Sequence, residues 1–240
     1  ENNFTQSTSS RQPAFISSSI NGQPTLRIVA SSSQTMYVNT NFPAPVTVLY
    51  VSKLNGGADS RILSAKNNNW LLGFWGGGRQ EAYFQGWVNN PGTSPDTNPY
   101  LYEAIIPGSG QNSVVYENGN QIASNTGGTT GPNGLCLSGY ACNSEFSNAD
   151  IAEIIVYNHT LSDTERISIE NYLGIKYGLF SKASLNIFVQ SCNDAFCSGE
   201  SWTNLGNNLT SPQNLSVSDN QYFQYKYEFG TDNATYSPEL

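Results

Sequence analysis

Charge is scarce in this 240-residue chain, since Asp, Glu, Lys and Arg together make up only 12% of it. The ten Lys and Arg are scattered singly, so no basic stripe exists to neutralise phosphates, and a formal net charge of −8 repels polyanions. Nucleic acid is thereby excluded as a partner. Long apolar runs are missing too. None approaches the roughly 20 residues a helix needs to cross a bilayer, which excludes helical membrane insertion within this chain. No charged-then-apolar leader opens it at Glu1, which predicts a mature chain or one cut from something longer.

Catalytic raw material is equally thin. Histidine occurs once, at His159, in a predicted strand-to-helix turn, and no Gly-x-Ser-x-Gly or reactive-cysteine context accompanies it. Glycoside cleavage needs two carboxylates at a fixed separation, commonly alternating on one strand. The nearest approach is Asp150 with Glu153, whose spacing predicts opposite faces of a strand, with Glu153 as a structural acceptor. The seven aspartates include no Asp-x-Asp-x-Asp run for a cation. The chain therefore reads as non-enzymatic, with no cofactor.

What is present is core material and turn material. Hydrophobic residues are 38% and aromatics 12%, too much for a disordered chain, while Asn, Ser, Thr, Gly and Tyr are abundant. That mixture suits β-strands joined by polar loops. The four cysteines fall into two local pairs, Cys136 with Cys142 and Cys192 with Cys197. Their spacings are not C-x-x-C, so disulfides within each loop fit better than zinc and imply an extracellular setting. Asn3, Asn158, Asn208, Asn214 and Asn233 head N-x-S/T triplets and are candidate glycosylation acceptors, although this composition yields about five by chance.

Residues 1–12 are polar, lack periodicity and read as an arm or linker. Strands are predicted at 25–29, 46–51 and 70–74, the second a near-continuous apolar run suited to a core. Gly76-Gly77-Gly78 lacks the following helix and Lys-Ser/Thr pair of a phosphate loop and predicts a bend beside Trp75. Ser113 to Glu117, Asn118-Gly119 and Asn120 to Ala123 predict a hairpin with a type I′ turn. After a strand at 153–157 and a turn at Asn158-His159, Ser162 and Glu165 form a capping box and Gly178 ends a helix. Ile169, Tyr172, Leu173 and Tyr177 are predicted to share its buried face. Beyond residue 180, Leu185, Ile187 and Val189 alternate with polar residues, and 222–229 places Phe223, Tyr225, Tyr227 and Phe229 on one face.

The strand and capped helix ending Tyr-Leu-Gly-Ile-Lys-Tyr-Gly-Leu, the hairpin Tyr116-Glu117-Asn118-Gly119 and the segment from Ala14 to Arg27 resemble the laminin-G-like, concanavalin A-like jelly-roll domains of secreted microbial surface proteins. The resemblance covers roughly 13–180 and implies an all-β fold: a jelly-roll β-sandwich with one short C-terminal helix. Residues 181–240 resemble part of a second β-sandwich module that often follows such domains, carried by Cys192-x4-Cys197, Tyr222-Phe223-Gln224-Tyr225 and Ser237-Pro238. With few strands of its own, this segment is expected to be completed by a strand from beyond Pro238 or from a neighbouring copy, whose arm at 1–12 would be the donor in a head-to-tail assembly. Relatives of the first domain often carry calcium at the sandwich rim. Asp59, Asp96 and Asp150 are the candidates here, without an assignment.

The implied role is that of an extracellular or cell-surface protein acting in adhesion or as a structural unit of an assembly such as a filament, with neighbouring domains or copies of itself as partners. The alternative is a carbohydrate-binding, lectin-like module, with a glycoside hydrolase less favoured. For glycans, Trp75, Arg79, Tyr83 and Trp87 form the densest set of aromatics interleaved with hydrogen-bonding side chains, and they are the candidate ligand residues.

Overall fold

A computed structural model describes residues 3–56, 60–179, 183–206, 215 and 217–231. Asp59, Asn208, Asn214, Asn233 and the Ser237-Pro238 segment lie outside the described residues. The chain divides into two compact units, Glu1–Phe180 and Ser181–Leu240.

The first unit contains β1 (Ala14–Ile20), β2 (Gln23–Ile28), β3 (Met36–Asn41), β4 (Val46–Leu54), β5 (Leu63–Ser64), β6 (Trp70–Trp75) and β7 (Gly78–Phe84). It continues through β8 (Trp87–Asn89), β9 (Tyr100–Ile106), β10 (Ser113–Glu117), β11 (Asn120–Asn125), β12 (Asn133–Leu137), β13 (Ala149–Tyr157) and α1 (Asp163–Tyr177). These strands make a seven-stranded sheet, β1-β2-β13-β4-β9-β10-β11, and a six-stranded sheet, β3-β12-β5-β6-β7-β8. One apolar core joins their inner faces, centred on Tyr50, Trp70, Phe74, Phe84 and Tyr102. The fold is an all-β sandwich with one helix.

Strand β4 explains its own composition. Val46, Val48 and Tyr50 enter the core, while Leu49 and Val51 meet the helix on the opposite face. Covered on both sides, the strand has no solvent face to fill with polar residues. The Tyr50 hydroxyl donates to the Leu72 carbonyl at 2.6 Å, and Gly73, at φ 98°, leaves the room for it, since a Cβ there would run into that hydroxyl.

The predicted hairpin is β10–β11, with Glu117 opposite Asn120 and with Asn118 and Gly119 at φ 48° and 76°, the left-handed pair that a type I′ turn needs. The Asn118 side chain accepts from the Leu101 amide at 2.9 Å, which ties the turn to β9. The helix begins with the predicted capping box, Glu165 Oε2 accepting from the Ser162 amide at 2.9 Å, and stops at Gly178 with φ 64°. Leu173 and Tyr177 pack against Ile20, Leu49, Val51 and Leu101 on the outer face of the seven-stranded sheet.

Tyr172 departs from the expected face. It is half exposed, and its hydroxyl accepts from Lys176 Nζ at 2.7 Å. The buried stripe runs instead through Arg166, Glu170, Leu173, Gly174 and Tyr177. Successive helix residues turn by about 100°, so Leu173 and Tyr172 cannot both face the sheet squarely, and a buried Arg–Glu pair claims part of a stripe that apolarity alone would not reveal.

The polar N-terminal segment belongs to the first unit. Thr5 exchanges backbone hydrogen bonds with Tyr37 on β3, and Arg11 donates to the carbonyls of Ser33 at 2.9 Å and Cys142 at 2.8 Å. Both expected disulfides are formed, Cys136–Cys142 and Cys192–Cys197, with Cα atoms 5.5 and 5.0 Å apart.

The second unit holds β14 (Ala183–Cys192), β15 (Thr203–Gly206) and β16 (Tyr222–Thr231) in the order β15-β14-β16. Strands β14 and β16 pair without a break from Ala183↔Thr231 to Cys192↔Tyr222. Lys226 covers the rings of Phe188 and Trp202 on one face. Phe223, Tyr225, Tyr227 and Phe229 alternate with it, as expected, and are exposed among the described residues.

Candidate functional site

Trp75 ends β6, Tyr83 lies near the end of β7 and Trp87 begins β8, on adjacent strands of the six-stranded sheet. Their sequence neighbours Phe74, Ala82, Phe84 and Val88 belong to the core. Strand alternation therefore sends the three aromatics to the outer face, where each is partly exposed. Trp87 is the centre of the group, with its ring centroid 5.3 Å from Trp75 and 5.0 Å from Tyr83, the latter edge-on. Side-by-side rings held by one another form a rigid apolar shelf with a polar N–H or O–H at each edge. Beside it, Gly76 and Gly77 turn the chain with φ of 62° and 82°, the bend expected of the glycine run.

Arg79 does not join the shelf. Gly73 pairs with Glu81 but Phe74 pairs with Arg79, so Gln80, at φ 69°, is an extra residue in β7. This bulge reverses the alternation and gives Arg79 the inward side that Phe74 occupies. Its Nη1 lies 2.7 Å from both oxygens of Glu117, and its guanidinium stacks 4.8 Å from the Tyr100 ring centroid. Glu117 also accepts from Gln80 Nε2 at 2.7 Å and from the Tyr102 hydroxyl at 2.6 Å. Burial is the largest influence and would lower the Arg79 pKa, but the bond to Glu117, its charge and the neighbouring Tyr100 and Tyr102 together outweigh it and raise it. The guanidinium thus locks the sandwich rim and is spoken for.

Asp96, one of the cation candidates, accepts from the Tyr100 hydroxyl at 2.6 Å and the Asn98 amide at 2.8 Å. Partial burial pushes its carboxyl up, but these bonds and Arg79 hold it below the ordinary value. Burial and the bond to Asp96 raise Tyr100 to about 12. Asp150, another candidate, is fully buried and accepts from Ser19, from Nε and Nη2 of Arg27 and from Asn55, with Lys53 at 3.9 Å. Its oxygens are occupied by protein donors. Among the described residues no group of acids, His and Cys has the clustering a metal needs.

The expected opposition of Asp150 and Glu153 is overturned. Ile151 pairs with Ser52 and Glu153 with Val51, so Ala152 is a bulge in β13. Both acids consequently lie on the helix-bearing face, Glu153 accepting from Lys176 at 2.8 Å and Tyr177 at 2.9 Å. Shared orientation does not make them a reactive pair, since each is enclosed by its own cations and hydroxyls. His159 is exposed in its turn, its ring 5.6 Å from that of Tyr157. Asn3 and Asn158 are exposed.

No protein-family model and no curated protein sequence matches this chain. Solved structures do. The binding domain of Paraclostridial Mosquitocidal Protein 1 aligns at 12% identity with a TM-score of 0.52, covering 81% of this chain and 57% of that one. Domain 4 of AbnA, a GH43 extracellular arabinanase from Geobacillus stearothermophilus, in complex with arabinotriose, aligns at 15% identity and a TM-score of 0.48 over 66% of this chain and 81% of that one. Trypanosoma rangeli sialidase in complex with the inhibitor DANA aligns at 15% and 0.42. The chain spans 57% of the mosquitocidal binding domain and 27% of the sialidase. The likeness to the mosquitocidal domain establishes the β-sandwich fold, and at such identity it speaks to fold alone.

Proposed function

We propose that the chain is a non-catalytic, extracellular binding protein whose first unit, a laminin-G-like jelly roll, takes neutral glycans on the shelf of Trp75, Tyr83 and Trp87, in the service of adhesion. The observation that carries this reading is the contact of three partly exposed aromatic rings around Trp87 on an outer sheet face. Such a surface gives up its water readily to the apolar face of a sugar ring, and the flanking amides and hydroxyls supply orientation. The two disulfides support the extracellular setting. Screening the whole chain on a glycan array, followed by titration monitored by tryptophan fluorescence, tests it. Binding should shift the emission, and Trp87→Ala should weaken affinity at least tenfold. A glycan bound equally well by Trp75→Ala and Trp87→Ala would end the reading.

A second reading, self-assembly through the second unit, is favoured by the exposed aromatic face of β16, where Tyr225 is 65% exposed among the described residues. A neighbouring copy is the proposed cover, in keeping with the tendency of such strands to recruit another chain. Sedimentation across a concentration series would show association that Tyr225→Ser reduces. A monomer at all concentrations would dismiss it.

A further inference from the structure

We propose a second ligand site for a neutral sugar unit in an open cavity of mixed polar and apolar lining at the loop rim of the first unit, distinct from the aromatic shelf. The cavity is about 490 Å³, a size typical of small-ligand sites. Loops that are distant in sequence build it, and their residues include Asn41, Asn68, Gln85, Ser109, Thr129 and Thr130. No acid, base, histidine or aromatic ring lines it.

The walls are fixed by bonds between loops. Asn68 Nδ2 donates to the Gly131 carbonyl at 3.1 Å, while its Oδ1 accepts from the Asn133 amide at 2.9 Å. The Phe42 amide donates to the Pro132 carbonyl at 2.9 Å, and the Gln85 amide to Asn69 at 3.2 Å. A side chain at Gly131 would strike the Phe42 carbonyl, so these loops approach as closely as their backbones allow. Against these tied walls, the side chains of Asn41, Gln85, Ser109, Thr129 and Thr130 make no hydrogen bond among the described residues.

Chemistry selects the ligand. Without carboxylates the cavity offers a hard cation no charged ligand, and without a cationic side chain it offers an anion no charge-assisted bond. Amides and hydroxyls both donate and accept, which matches a molecule whose every edge is a hydroxyl. Side chains free of protein partners beside tied loops can turn their amides and hydroxyls to such a ligand in exchange for water, and the fixed backbones limit the ordering cost to those side chains. The choice of a sugar rests on the proposed function, but the site does not depend on the shelf.

The test is amide NMR of the whole isotope-labelled chain titrated with neutral trisaccharides of glucose, galactose, mannose or arabinose, alongside a sialylated trisaccharide. At least one neutral sugar should saturably shift the amides of Gln85, Ser109, Thr129 and Thr130. Thr130→Val and Gln85→Ala, both exposed positions, should reduce that affinity at least tenfold while leaving remote amides in place, and Trp87→Ala should leave the rim shifts intact. Rim amides unmoved by every neutral sugar, or moved only by the sialylated one, would overturn the site. Rim shifts that persist when Trp75→Ala and Trp87→Ala have no effect on binding would sink the shelf and leave this site standing.

Discussion

Glu103 on β9 and Glu170 on α1 bring two buried carboxyls together beneath the helix. They are only 1% and 5% exposed, and neither oxygen of Glu103 has a hydrogen-bond partner among the described residues. A carboxylate buried without a donor and beside a second carboxyl is costly as an anion, so Glu103 favours its protonated form. Arg166 donates to Glu170 Oε1 at 2.7 Å and stacks 4.2 Å from the Tyr116 ring centroid, which favours the anion on Glu170 and the proton on Glu103. Burial first, and then Glu170, push the Glu103 carboxyl well above the usual range, with Arg166 pulling the other way.

This pair makes stability fall as pH rises. Below the ordinary carboxylate value, near 4.5, folded and unfolded chains both hold the Glu103 proton and nothing is lost. Above it the unfolded chain releases the proton while the folded chain keeps it, so stability declines until the folded value is passed. Urea midpoints measured from pH 5 to 9 should fall, and Glu103→Gln, which cannot ionise, should flatten the slope. A variant with the parent's slope would show that Glu103 does not keep its proton in the folded chain.

Asp150 acts at the opposite end of the scale. Burial raises its carboxyl, but bonds from Arg27, Ser19 and Asn55 outweigh burial and lower it below 3.8. Its contribution is present above that value and is lost as pH falls through the folded one. Asp150→Asn should weaken the protein at pH 6 and reduce its sensitivity to acid below pH 4, as read from unfolding midpoints. Undiminished acid sensitivity would place that transition elsewhere.

Arg79→Ala should destabilise the first unit by about 3 kcal/mol, because Glu117 and Tyr102 are left at a largely enclosed rim without their cation. Arg79→Lys should recover only part of the loss, since an ammonium cannot reproduce the stacking on Tyr100. Glycan binding per folded molecule should not change, as Arg79 is apart from the shelf. Denaturant titration with a binding assay on each variant separates the two effects.

Removing the helix cap by Ser162→Ala should cost about 1 kcal/mol with no change in binding. Opening the Cys136–Cys142 loop, whose ends are 6 positions apart, by the double Ser variant should cost about 2 kcal/mol, the small loop limiting the entropy gained on unfolding. Thermal denaturation reads both. Peptide mapping without reductant should recover each cysteine pair within its own loop, and cross-pairing would contradict the arrangement.

Features settled by neighbours in sequence were legible without the structure. The Asn118-Gly119 turn, the Ser162–Glu165 capping box, the Gly178 stop and the two disulfide loops each depend on residues within one turn or loop, so local stereochemistry decides them. The outward set of Trp75, Tyr83 and Trp87 follows from strand alternation in the same way. Tertiary structure decided what alternation could not. One extra residue at Gln80 turned Arg79 from the shelf to Glu117, and another at Ala152 brought Asp150 and Glu153 to one face. A bulge reverses every side chain beyond it, yet is set by the register of a partner strand far away in sequence. Glu103 and Glu170 are 67 positions apart, and the rim cavity draws on separate loops. Only folding brings such groups together, because their proximity is a property of strand order and leaves no periodic trace in the chain.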